Sequence, residues 1–108
     1  MILQRRFSDQ QLEQIIEEAT IYMCACPGQV AVQLRSLREL FRYQGNCQID
    51  PGNEPAVHQA IAAATAQAYA VMEDCLDQVL TLEGWDRTTL QMPEGLRQKR
   101  AELLDRDD

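Results

Sequence analysis

From Pro55 to Glu83 nothing in the chain breaks a helix, and Gly84 then supplies a stop. Within that run Val57, Ile61, Ala64, Ala68, Met72, Cys75, Val79 and Leu82 follow one another in steps of three and four, close to a heptad seam. With Asn53 placed to cap its start, the spacing predicts one long helix from Asn53 to Glu83. The natural partners of such a rod are other helices laid along it. Its alanine-rich stretch from Ile61 to Ala70 has high helix propensity and permits close helix approach.

Two helices are predicted upstream. Ser8 with Gln11 makes a capping box, and Leu12, Ile15, Ile16, Ala19 and Met23 recur at helical spacing, which gives a first helix over 8–23. Pro27 suits the first turn of a second helix, where its missing N–H costs nothing. Val30, Leu34, Leu37, Leu40 and Phe41 form the expected buried stripe, and Gly45 is expected to end the helix near Gln44. Residues 45–53 are dense in turn formers and read as a loop. After Trp85 the pattern weakens, and Pro93 is expected to open a short helix carrying Leu96, Leu103 and Leu104. The expected fold is all-α and a single domain over residues 1–108. It is a three-helix bundle with a long third helix, an N-terminal arm over 1–7 and a short C-terminal helix within 85–108, assembled as a homodimer.

Composition narrows the function classes. A hydrophobic fraction of 45% with 25% charged residues is that of an ordinary globular chain, which argues against wholesale disorder. The formal net charge of −7 opposes binding to nucleic acid or to an anionic membrane, since both demand Lys and Arg. No apolar run approaches the length of a membrane span, and Met1–Arg6 turns charged too soon for a secretory signal. Four cysteines in such a chain read as reduced thiols or metal ligands, and the expected setting is cytoplasmic.

Helix lengths suggest where a partner would bind. If the third helix folds back on a second helix that ends near Gln44, residues near Val71 lie level with Pro27. The rod then continues for about three turns beyond its neighbours. That overhang, with Met72, Leu76, Val79 and Leu80, is too apolar to stay in water and is expected to meet a second copy, a protein partner or the C-terminal segment. Trp85 at its end is either an interface anchor or a residue that folds back to seal the bundle.

The cysteines carry the competing hypothesis. Cys24 and Cys26 sit where one helix gives way to the next, and Cys75 is expected near their level. Cys26 would lie beside the N-terminus of the second helix, where dipole and free N–H groups favour thiolate. The three thiols could hold zinc or cuprous copper, or cycle between thiol and disulfide. The opposing reading makes Cys75 and Cys24 core residues, in keeping with how often free cysteine is buried. Cys47, at the far end of the second helix, shares its neighbourhood with His58, the only histidine.

Arg35, Arg38 and Arg42 recur at helical spacing and, with Arg5 and Arg6, could recognise an acidic partner. Pairing with Glu13, Glu17, Glu18 and Glu39 is the simpler account. The chain has no glycine-rich phosphate loop, nucleophile elbow or zinc-protease motif, so catalysis lacks positive support. The leading expectation is a non-catalytic interaction or regulatory module without a cofactor. The alternative is a small thiol protein acting through Cys24, Cys26 and Cys75.

Overall fold

Ser8 and Gln11 close the capping box reciprocally: the Ser8 N–H donates to Gln11 Oε1 at 2.8 Å and the Gln11 N–H donates to Ser8 Oγ at 3.0 Å. The computed structural model describes residues 3–21, 26–48, 52 and 54–93. It contains three helices, α1 (Asp9–Ile21), α2 (Cys26–Gln48) and α3 (Pro55–Leu82), and no strand among the described residues. The short C-terminal helix expected around Leu96, Leu103 and Leu104 lies outside them.

α2 is the middle element, packed on α1 along one side and on α3 along another. Both pairings are antiparallel. Arg35 reaches Glu13 at 2.7 Å near the middle of α1, while a Cβ built on Gly28 would stand 2.9 Å from the Ala19 Cβ near its end. On the other side Gln44 meets His58, with Oε1 2.6 Å from Nδ1, and Val30 shares a groove with Met72.

α2 does not end near Gln44, as its sequence led us to expect, but passes through Gly45 to Gln48. A glycine inside a helix costs only about 1 kcal/mol, and the contact between Gln44 and His58 ties this end of α2 to α3. The extension changes the register. Counting back along the antiparallel pair from the Gln44–His58 contact, Pro27 lies about one turn further along α3 than Val71. α1, with 13 residues, begins level with Arg38, which leaves the last turns of α2 and the first turns of α3 without it.

The start of α3 also differs from expectation. Glu54 occupies the N-cap position without a side-chain cap bond, and Pro55 takes the first helical position. Its other end behaves as the glycine predicts. Gly84 adopts φ +74°, its N–H donates to the Thr81 carbonyl at 3.1 Å, and the Trp85 N–H donates to Leu80 O at 2.9 Å. This pair of bonds is a Schellman motif, and it turns the chain back towards the core. Trp85, Leu90 and Met92 join the buried cluster that holds Leu76 and Leu80, together with Leu12, Ile15 and Leu34.

Two buried carboxylates fasten the non-helical flanks. Glu73 accepts the backbone N–H of Arg6 at 2.8 Å and of Phe7 at 3.4 Å, while Glu18 accepts the Met92 N–H at 3.0 Å. The Arg38 guanidinium, 3% exposed, donates to the Tyr69 hydroxyl, Asp9 and the Phe7 carbonyl. Burial raises the Tyr69 hydroxyl above its ordinary pKa, with the nearby Glu73 carboxylate acting in the same direction. Each buried charge therefore has partners, which is the condition for tolerating it in a core.

Candidate interaction surface

α3 carries two apolar seams. The inner one, Ala62, Thr65, Tyr69, Leu76 and Leu80, is buried against the rest of the chain. The outer one runs Val57, Ile61, Ala64, Ala68, Val71, Cys75, Gln78 and Leu82, in strictly alternating steps of four and three. That spacing lines one face of a helix slightly underwound against a partner. Yet the large members are open to solvent, Val57 by 52%, Val71 by 66% and Leu82 by 77%. Ala64 and Ala68 are exposed and Cys75 is half-buried.

The outer seam borders a groove between α2 and α3. Leu37 and Leu40 form one wall, and Ala60, Ile61, Ala64, Thr65 and Ala68 form the other, around a cavity of about 420 Å³. A second hollow is lined by Cys26, Gln29, Val30, Val32 and Gln33 of α2 and by Met72 of α3. Positions 26, 30, 33, 37 and 40 share one stripe of α2 by helical spacing. α1 grips a different side, through Gly28, Arg35 and Arg38. The terminal segments hold α3 from its far side too. Arg6 pairs with Asp74 at 2.5 Å, and Arg87 pairs with Asp77 at 2.5 Å while standing over the Phe7 ring.

Charge is missing from this face. No Asp, Glu, Lys or Arg occurs from Pro55 to Met72, in a chain where a quarter of all residues are charged. The arginines of α2 are already engaged: Arg35 with Glu13, Arg38 with Asp9, and Arg42 with Glu39 at 3.1 Å. Pairing, rather than a free basic face, is what the structure shows. The hydrogen bond from Arg38 holds the Asp9 carboxyl below its ordinary value.

The residues singled out in the sequence are scattered. Leu76 and Leu80 are completely buried, Trp85 is 4% exposed with its indole N–H donating to Glu83, and Met72 and Val79 are half-buried. These five do not form one open patch, because the turn at Gly84 brings Trp85, Leu90 and Met92 into the cluster with Leu76 and Leu80. Cys26 is exposed at the head of α2 and Cys75 lies on the outer seam, while Cys24 is outside the described residues. Among the described residues no three His, Cys, Asp or Glu side chains gather around a possible metal position. His58 is engaged by Gln44. Val71 was missed by sequence reasoning, which placed Met72 in the seam. The signal was there, since a seam through Val71 and Gln78 keeps strict three–four alternation, whereas one through Met72 repeats a step of four after Ala68.

No protein-family model matches the chain, and neither a curated protein nor a solved structure matches it. No helix among the described residues is long and apolar enough to cross a membrane.

Proposed function

We propose that the protein is a non-catalytic helical interaction or regulatory module whose docking face is the outer seam of α3 with the adjoining groove on α2. The observation that carries this reading is the exposure of Val57, Ile61, Val71 and Leu82 along one heptad-spaced strip without charge. Apolar side chains gathered in water are costly, and an extended strip of them usually marks an interface. The spacing selects a helix as occupant, since knobs repeating every three and four residues fit the holes of another helix. A homodimer is the simplest form of such a module, because a two-fold axis lets one strip cover itself.

Photo-crosslinking tests the reading. A benzophenone side chain at position 64 of the full chain should form one discrete adduct in native extract, mapping to a helical segment of the captured protein. The same group at Glu17, on the exposed side of α1, should give none. If position 64 captures nothing, or captures only what position 17 does, the seam is not a docking face.

A further inference from the structure

Resting on that reading of the seam, we infer that its occupant is the outer seam of α3 from a second copy of this chain, lying antiparallel, with the two-fold axis between Ala68 and Val71. Length favours this occupant. The alternation persists from Val57 to Leu82, nearly the whole of a 28-residue helix, so a partner that uses all of it must be a comparably long helix. α3 itself meets that requirement.

Charge favours the same pairing. Two molecules that each carry −7 repel, and they approach at least cost across a surface without charge. The acidic residues of α3, Glu73, Asp74 and Asp77, all belong to its C-terminal half. An antiparallel crossing lays that half over the uncharged half of the other copy. A parallel crossing sets the acidic halves abreast.

Side-chain volume agrees with the antiparallel register. About an axis between Ala68 and Val71, Ala68 faces Val71, Ala64 faces Cys75 and Val57 faces Leu82. Near the axis each small residue thus receives a larger one. A parallel register opposes Ala64 to Ala64 and Ala68 to Ala68, which leaves voids at the centre. Gln78, the polar member of the seam, falls opposite Ile61 near the end of the contact, where water reaches it. The assembled core is then a four-helix bundle, with an α2–α3 pair from each copy and the groove beside Leu37 and Leu40 filled by the other molecule's seam.

Cysteine cross-linking in the full chain tests both occupant and direction. In a background with C24S, C26S and C47S, the native Cys75 remains as a reporter. Adding A64C should yield, on mild oxidation, a covalent dimer whose linked peptides join position 64 of one copy to position 75 of the other. The background alone should yield none, because antiparallel Cys75 residues lie about 16 Å apart along the axis, beyond disulfide reach. Light scattering of the native chain should give twice the monomer mass, and V71E should halve it while leaving the helical circular dichroism unchanged. A native chain that stays monomeric at the highest soluble concentration overturns the inference, and so does a Cys75–Cys75 link in the background. If the chain is monomeric while position 64 still captures a helix of another protein, only the second-copy inference falls. If position 64 captures nothing at all, the docking-face reading falls with it.

Discussion

Arg38 of α2 donates from Nε to the Tyr69 hydroxyl of α3 at 2.8 Å, inside the protein, with neither residue more than 3% exposed. The same guanidinium donates to the Phe7 carbonyl, so it joins α2, α3 and the N-terminal arm, whose Arg6 and Phe7 N–H groups are accepted by Glu73 of α3. Removing one member leaves the others desolvated and short of a partner, which is where buried charge becomes expensive. Arg38→Met should therefore lower the unfolding free energy by about 3–5 kcal/mol in urea titrations. Arg42→Met removes an exposed pair with Glu39 and should cost under about 1 kcal/mol. Equal losses would show that the buried network adds nothing.

Glycine-to-alanine changes at two positions of α2 should have opposite signs. At Gly28 the new Cβ would come within 2.9 Å of the Ala19 Cβ, so α1 must shift, and we expect a loss of about 1–3 kcal/mol. Gly45 has nothing within 4 Å of a built Cβ and is helical, so alanine there should add about 0.5–1 kcal/mol. Ala19→Gly should recover most of the Gly28→Ala loss in a double-mutant cycle measured by thermal melting.

Gly84→Ala addresses the Schellman turn. At φ +74° an L side chain is strained, and the substitution should cost about 1–2 kcal/mol. Because Trp85 enters the core through this turn, its fluorescence should report the loosening directly. Retained stability together with unchanged emission would mean that the turn does not hold the indole in place.

Stability should fall at both pH extremes for separate reasons. The Arg38 hydrogen bond lowers the Asp9 pKa below its ordinary 3.8. Its contribution is thus present above that value and is lost as pH falls through the folded-state value. Tyr69 is raised above its ordinary 10.0, chiefly by burial, so its contribution is complete below pH 10 and is lost as pH rises through the folded-state value. Asp9→Asn should flatten the acid limb of the stability profile and Tyr69→Phe the alkaline limb. Unaltered limbs in denaturant titrations across pH would contradict these assignments.

Much of the local structure was legible from residue order alone. The Ser8–Gln11 box, Pro27 at the head of α2 and Gly84 at the end of α3 each act through backbone geometry within a few residues. The end of α2 was misread because a helix can absorb Gly45 when tertiary contacts hold it, as Gln44 and His58 do here.

The choice between the two seams of α3 is different in kind. From Pro55 to Met72 the helix has no charge to mark an outside, so periodicity shows that seams exist without showing which turns inward. The packed chain turns inward the seam with the larger side chains, Tyr69, Leu76 and Leu80, which bury more area than alanine and valine. It also matches the Tyr69 hydroxyl and the Glu73 carboxylate to an arginine on another helix and to backbone N–H groups of the arm. Those partners lie 31 and 67 positions away along the chain, and only the folded arrangement brings them within hydrogen-bond reach. Residue order thus determined three amphipathic helices, the capping box of α1 and the glycine stop of α3. Tertiary packing decided which face of α3 is core, because burial and hydrogen bonding act between residues that sequence spacing does not relate.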